Sequence, residues 1–231
     1  MAGGAGDSIL IKPITKERLA DFEALMKTNS ITGSCWDMFP RRLNAGWNER
    51  NAYWKARGIR GSDGNRRDLV ALVRTGVPIG LLAYRDGTPV GFVSVGPRAA
   101  YPRVDASKTS PPVDDLPVWA VPCFYVHRKH RGIGVTTALL SAAVAYAGEQ
   151  GAPAVEGYPR SDKAPRVSAE SAFFGTEAMF RRAGYKKVRG LRSDLPRGWA
   201  PRVTMRATCV SEEQERPRTS LRSRRRSPAA S

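Results

Sequence analysis

Cysteine, histidine and long apolar runs are scarce in this sequence. Its 231 residues include three cysteines, Cys35, Cys123 and Cys209, which are far apart and odd in number, and only two histidines. This pattern predicts neither a disulfide framework nor a structural metal site. No apolar run approaches the roughly 20 residues that cross a bilayer, and the N-terminal residues lack the basic and then apolar pattern of a signal peptide. We therefore expect a soluble, cytoplasmic protein with no metal and no membrane partner.

Acidic residues are also few relative to basic ones. The chain has 38 lysines and arginines against 21 aspartates and glutamates, a formal net charge of +17. Residues 211–231 hold six arginines and three glutamates, so they supply only +3 of this charge and the first 210 residues carry +14. Such an excess indicates a phosphate-bearing partner: nucleic acid, an anionic surface or a phosphorylated cofactor.

Hydrophobic periodicity predicts helices before residue 77. Residues 17–27 carry an apolar stripe, with Thr15 as a candidate N-cap. Residues 35–67, rich in tryptophan and arginine, should contain one or two helices, and NRRDLVALVRTG should form another that ends at Gly76.

From residue 78 the pattern changes to strands alternating with helices. Asp86-Gly87 is the turn signal of a hairpin in IGLLAYRDGTPVGFVSVG. The predicted order continues with a loop at 97–117, a strand at 118–126, a helix in TALLSAAVAYAGEQ, a strand at 153–158, a helix at EAMFRRAG, and strands in YKKVRGLR and RVTMRATCV.

This order predicts an α/β class of fold in which a mixed sheet is flanked by helices. We expect one domain over residues 1–210, with N-terminal helices in 14–76 and a core in 78–210. The segment 211–231 has almost no apolar residues and is predicted to be a disordered basic tail.

The segment RGIGVT, residues 131–136, lies directly between strand 118–126 and the helix that follows. Glycine lets a phosphate oxygen approach the backbone, and the first amides of a helix attract an anion. Arg128 and Lys129 add positive charge nearby. A turn of this kind also occurs without a ligand, and the spacing is that of neither a Walker loop nor a dinucleotide fingerprint.

Around this loop the sequence resembles the GCN5-related N-acetyltransferase (GNAT) family over roughly residues 78–192. Arg131, Gly134 and Thr136 fall on the three defined places of the family's coenzyme A loop, [R/Q]xxGx[G/A], where Thr136 departs from the small residue expected. Four other segments resemble the family in the same order, and together they are similar to a bacterial subgroup of unassigned substrate: PVGFVSVGPR, VWAVPCFYV, VEGYP and FFGTEAMFRRAGY.

The resemblance implies a GNAT-like acyl-CoA N-acyltransferase fold and direct transfer of an acetyl group from acetyl-CoA, as cosubstrate, to a primary amine of a small molecule or protein. It implies that the pantetheine arm lies in a cleft between the strand before the loop and the strand after the helix. The implied cofactor-binding residues are Phe124, Tyr125, Val126, Arg131, Gly132, Ile133, Gly134, Val135 and Thr136.

Candidates for proton transfer are fewer. Glu156 lies in an otherwise apolar strand, so it is either a desolvated general base or a carboxylate that faces solvent or pairs with an arginine. The resemblance implies a tyrosine acid at the position of Phe180, which cannot donate a proton. The general acid is therefore another group, water or absent, with Tyr158 and Tyr125 as candidate substitutes. Cys123 as an acyl-accepting nucleophile is disfavoured, since no histidine is placed for it.

Two other functions remain open. One is a coenzyme A-binding sensor without catalysis, consistent with Phe180. The other is a basic, nucleic-acid-associated protein on an acetyltransferase scaffold, suggested by the charge and by the arginine-rich tail. The sequence identifies neither the acceptor amine nor the oligomeric state, for which a homodimer is one option. The aromatic residues Trp36, Phe39, Trp47 and Trp54 are expected in the core rather than in a substrate cage.

Overall fold

Two β-sheets organise the fold, and one continuous segment of the chain supplies a strand to each of them. The structure, a computed structural model, describes residues 8–162, 173–194 and 201–209. The first sheet is antiparallel throughout, in the order β1 (Leu10–Pro13), β2 (Gly80–Arg85), β3 (Thr88–Ser94) and β6 (Phe124–Val126). The second has the order β4 (Gly96–Pro97), β5 (Trp119–Val121), β7 (Ala154–Gly157), β9 (Thr204–Thr208) and β8 (Lys186–Arg189), and only β5 and β7 are parallel. The predicted mixed α/β architecture is therefore confirmed.

The helices surround these sheets. Their bounds are α1 (Leu19–Met26), α2 (Ser30–Cys35), α3 (Asn44–Lys55), α4 (Gly61–Arg74), α5 (Pro102–Asp105), α6 (Val135–Glu149) and α7 (Glu177–Arg182). Within the described residues, none is long and apolar enough to cross a membrane.

The strand predicted at 118–126 is in fact two strands, β5 and β6. Pro122 has no N–H to donate, so it cannot continue a ladder. Before it, β5 pairs in parallel with β7, whereas after it β6 pairs antiparallel with β3. The two sheets consequently diverge at Pro122 and Cys123, and β6 is left at the edge of its sheet.

Several other elements depart from the sequence prediction. β1 was not predicted, and α4 begins at Gly61, earlier than the segment NRRDLVALVRTG. The helix predicted at 17–27 is confirmed as α1 after a short 3₁₀ turn, although the Thr15 side chain does not cap it. The loop predicted at 97–117 contains α5, and the segment 211–231 lies outside the described residues.

The two larger apolar clusters of the described residues hold the layers together. α6 buries Leu139 and Leu140 completely in the larger cluster, which packs between this helix and both sheets. On the other face of the first sheet, α1 and α4 close a second cluster in which Phe22 meets Phe92 edge-on, with ring centroids 5.3 Å apart. The N-terminal helices therefore lie on the opposite face of the first sheet from α6.

Candidate functional site

The loop between β6 and α6 contains two glycines in the left-handed region. Gly132 has φ +82° and Gly134 has φ +90°, a conformation that L side chains adopt only with strain. A Cβ atom added at either position would meet no atom within 4 Å, so the space above the loop is open. The loop thus presents bare backbone to a ligand.

Gly134 is also the N-cap of α6, a helix of 15 residues. With no side chain, it cannot cap the first amides of the helix, which are left to attract an anion together with the helix dipole. Arg131 lies beside them, and its Nε donates to the Val126 carbonyl at 3.0 Å. The exposed side chains of Arg128 and Lys129 add positive charge. The arrangement fits a pyrophosphate.

Strand β6 directs part of its backbone into the gap between the sheets. Tyr125 lies opposite Phe92 in the ladder, flanked by the bonds Ser94 N to Cys123 O, 2.9 Å, and His127 N to Val90 O, 2.8 Å. In an antiparallel pair alternate residues face the partner, so the N–H groups of Phe124 and Val126 point away from β3. These amides can bind an extended ligand that continues from the loop.

Phe180 of α7 fills the base of this gap. It is fully buried, with its ring 6.1 Å from that of Phe124 and 5.1 Å, edge-on, from that of Tyr185. A Cβ atom at Gly157 would overlap the Phe180 ring, so the glycine in β7 makes room for the phenyl group. Phe180 is therefore a packing residue.

A cavity of about 780 Å³ opens where the sheets diverge. Its walls come from the α1–α3 region, from the α5 region, from Pro122 and Cys123 at the strand break, and from residues 173, 174 and 202. A volume of this size suits a small organic molecule. Aromatic, hydroxyl, thiol and charged side chains all contribute to the lining: Phe39, Trp47, Phe92, Tyr158, Phe173, Phe174, Thr32, Ser107, Cys35, Asp37, Arg103 and Arg202.

Asp37 is a carboxylate in this wall that sequence reasoning missed. It is buried and has φ +56°, following α2. Its Oδ2 accepts hydrogen bonds from Arg41 Nη2 at 2.9 Å and from Ser94 Oγ at 2.8 Å. Its Oδ1 accepts only a thiol hydrogen bond, from Cys123 Sγ at 3.2 Å, among the bonds within the described chain. Because a thiol is a weak donor, this oxygen retains capacity toward the cavity.

The thiol of Cys123 is held in its neutral form. Burial raises its pKa well above the ordinary value, and the adjacent Asp37 charge raises it further. This environment agrees with the interpretation of the sequence, which disfavoured Cys123 as an acyl-accepting nucleophile.

Glu156 lies in a buried cluster of charges beneath β7. It is fully buried, and its Oε1 accepts from Arg206 Nε at 3.0 Å and Nη2 at 2.6 Å. Its Oε2 accepts from Arg98 Nη1 at 3.2 Å and from the Tyr158 hydroxyl at 3.1 Å. Of the two sequence readings, these contacts match the carboxylate paired with arginine. Glu156 is not among the described residues that line the cavity, and its role as a base stays a prediction.

Tyr158 links this buried cluster to the cavity. Its hydroxyl donates to Glu156 and accepts from Arg98 Nη1 at 2.7 Å, while its side chain contributes to the cavity wall. Burial and the neighbouring Glu156 charge raise the pKa of Tyr158, so its hydroxyl stays protonated at neutral pH. Tyr125, the other substitute, turns its hydroxyl instead to Thr28 Oγ1, at 3.0 Å, and is not part of the described wall.

Comparison with protein families decides the class. The model of the family described as "Acetyltransferase (GNAT) family" matches residues 44–164, more than half of the chain. The chain belongs to the GNAT acetyltransferase family. No curated protein matches it.

Solved structures of GNAT proteins share the fold. The aminoglycoside acetyltransferase AAC(6')-Ib in complex with coenzyme A has a TM-score of 0.51 and 17% identity, over 91% of this chain and all of that one. The same enzyme with paromomycin and acetyl-CoA has a TM-score of 0.52 and 17% identity, over 92% of this chain and 99% of that one. A GNAT protein from Desulfovibrio desulfuricans has a TM-score of 0.50 and 11% identity, over 88% of this chain and all of that one.

The residues predicted to bind the GNAT cosubstrate are contiguous in this fold, along β6, the loop and the first turn of α6. Their contributions differ: Arg131 to Gly134 are exposed, whereas Val135 is buried in the core and offers only its backbone. Tyr125 commits its N–H to β3. The aromatic residues predicted to be core divide, since Trp36 and Trp54 are buried but Phe39 and Trp47 line the cavity.

Proposed function

We propose that this protein transfers an acetyl group from acetyl-CoA to a primary amine of a small molecule. One observation carries the proposal: the open, glycine-containing N-terminus of α6 lies next to the edge strand β6, and β6 leads from it to the large cavity. Membership of the GNAT family supports acetyl transfer and acetyl-CoA as the cosubstrate. The cavity volume supports a small molecule rather than a protein surface.

Residues 131–136 would hold the pyrophosphate of acetyl-CoA, and the outward amides of Phe124 and Val126 would hold the pantetheine arm. When bound, acetyl-CoA supplies an activated acetyl group as a thioester. Phe124 adjoins the strand break and the cavity wall, so its N–H is the donor placed to stabilise negative charge on the thioester carbonyl oxygen. Such preorganised donors are worth several kcal/mol when water is excluded, on the order of 3 kcal/mol each.

In the overall exchange the amine nitrogen forms a bond to the acetyl carbon, the C–S bond breaks, and one proton ends on the sulfur. We assign Tyr158 to deliver that proton, because this side chain joins the cavity wall to the cluster of Glu156 and Arg98. For this step the hydroxyl, which donates to Glu156 in the structure, turns to the sulfur, and the phenolate then regains the proton that the attacking amine loses. We assign Glu156 as the positioning residue that orients this hydroxyl. Asp37 Oδ1, with its spare acceptor capacity, is the group placed to receive a hydrogen bond from the acceptor amine.

Thiol release from acetyl-CoA in the presence of a panel of amines tests this function. We expect at least one amine to increase the release of thiol from acetyl-CoA, and mass spectrometry should identify the acetylated form of that amine. Calorimetric binding of acetyl-CoA without transfer to any amine would favour the sensor, and no binding of acetyl-CoA would refute the proposal.

A further inference from the structure

The charged groups that line the cavity do not balance. Within the described chain the lining has one carboxylate, Asp37, and two guanidinium groups, those of Arg103 and Arg202. Asp37 is already matched by Arg41, which lies behind it and is almost fully buried. The two wall arginines are therefore positive charge that the described walls do not neutralise.

Arg103 makes hydrogen bonds only to neutral groups among the described residues. Its Nε donates to the Phe39 carbonyl at 2.9 Å, and its Nη1 donates to the Asn44 side chain. Its Nη2 is buried without a partner in that part of the chain. The guanidinium carbon lies 3.8 Å from the Phe39 ring centroid, which fixes the fork in place. Burial without a carboxylate lowers the pKa of Arg103.

Arg202 is held in the same manner. Its Nη1 donates to the Tyr158 carbonyl at 3.0 Å, and its guanidinium stacks 3.5 Å from the Phe174 ring centroid. Burial and the nearby Arg160 lower the pKa of Arg202 to about 10. By contrast, the ion pairs of Arg41 with Asp37 and of Arg206 with Asp114 and Glu156 raise the pKa values of these two arginines.

We propose that the acceptor carries, besides its amine, an acidic oxyanion group, a carboxylate or a phosphate, that Arg103 and Arg202 bind. A planar guanidinium fork matches the oxygens of either group, and a ligand anion would relieve the cost of two partly buried cations that the described walls do not neutralise. The amine end would then lie toward Asp37 and the strand break, and the aromatic walls would cover an apolar body. This inference rests on the proposed acetyl transfer, because it names the substrate class of the same cavity.

Matched probes that differ only in the acidic group test this specificity. The carboxylate set is L-phenylalanine, L-phenylalaninamide and phenethylamine, and the phosphate set is 2-aminoethyl phosphate and ethanolamine. The acidic member of at least one set should have a kcat/KM roughly 10–100-fold above that of the members that lack the acidic group, the range expected of charge-assisted hydrogen bonds. Which set responds distinguishes carboxylate from phosphate. Calorimetry of phenylacetate and of phenylacetamide with the coenzyme A-saturated protein reports binding of the carboxylate without transfer.

Variants locate the effect. Arg103→Gln and Arg202→Gln should each remove the preference for the acidic probe and leave acetyl-CoA affinity unchanged, and Arg202→Lys should restore part of it. Arg74→Gln, which removes an exposed charge at the end of α4, is the control for net charge and should change neither. Thermal melting identifies any variant that fails to fold.

The outcomes separate this inference from the function on which it rests. If acetyl-CoA binds and amines are acetylated with no preference for acidic members, or if no probe shows acid-dependent binding or transfer, the inference is overturned while the site assignment stands. If acetyl-CoA itself does not bind, the proposed function fails first.

Discussion

Replacement of Glu156 by glutamine separates the two roles open to this carboxylate. The substitution preserves the shape of the side chain but replaces one oxygen by an amide NH₂ group. Whichever oxygen is replaced, this hydrogen-bond donor faces the N–H donors of an arginine, either Arg206 or Arg98. Glu156 now receives two hydrogen bonds from Arg206, one from Arg98 and one from the Tyr158 hydroxyl. Glutamine can keep only the bonds to its remaining oxygen.

The cost follows from what the two arginines retain. Breaking a buried ion pair from one side costs about 3–5 kcal/mol. The lower end applies here, because Arg98 keeps Asp105 at 3.2 Å and Arg206 keeps Asp114 at 2.7 Å. A loss of about 3 kcal/mol in a chain of this size lowers the Tm by roughly 6–12 °C.

Thermal melting and a pH–rate profile with a good acceptor measure both consequences. If Glu156 positions Tyr158, the Glu156→Gln variant melts earlier, and its kcat falls by less than the roughly 10²-fold minimum for a lost general base. The fall in rate on the acidic side of the pH profile should then remain in the variant, because protonation of the acceptor amine, and not of Glu156, produces it. Tyr158→Phe should lower kcat more than KM. A 10²–10⁴-fold fall in kcat with an unchanged Tm and no acidic limb would refute this reasoning and identify Glu156 as the base.

Three further changes test separate parts of the structure. Gly157→Ala should lower the Tm, because its Cβ overlaps the buried Phe180 ring at a cost of about 1–3 kcal/mol, and adding Phe180→Leu should recover part of the loss; an unchanged Tm for the single variant would contradict this packing. Burial raises the pKa of Cys35 from 9.0 to about 11, so its thiolate forms only as the pH rises toward that value. Peptide mapping at pH 8 should therefore find iodoacetamide reacting about 100-fold more slowly with Cys35 in the native than in the urea-unfolded protein, and equal rates would contradict it. Deletion of residues 211–231 should leave acetyl transfer intact, because the loop, β6 and the described cavity wall all precede them, and loss of all activity would contradict that assignment.

The loop was predictable from sequence because its rules are local. Glycines at Gly132 and Gly134, between an apolar strand and an apolar helix, specify an open helix N-terminus within six residues. The split into β5 and β6 was also predictable from the sequence, because Pro122 lies within the apolar run and proline interrupts a central strand.

The chemistry of the wall could not be predicted in this way. Asp37 follows a six-residue helix with no periodic signal, and it meets Cys123 and Ser94 only because the fold brings together segments more than 50 residues apart. The same holds for Glu156, whose partners Arg98 and Arg206 come from a loop and from the last described strand. The sequence left Glu156 as either a desolvated base or a carboxylate that faces solvent or pairs with an arginine, and it could not give the number of cations around this residue.

Calorimetric titration of acetyl-CoA into wild type, Gly134→Glu and Gly151→Glu tests the assignment of the loop most directly. Gly134 and Gly151 flank the two ends of α6 with φ +90° and +80°, and a Cβ atom at either meets no atom within 4 Å. The two variants therefore carry similar backbone strain and the same added charge, but only Gly134→Glu brings that charge to the helix N-terminus. We expect wild type and Gly151→Glu to bind with micromolar affinity, about −8 kcal/mol, and Gly134→Glu not to bind. Equal affinity in all three proteins would contradict the site.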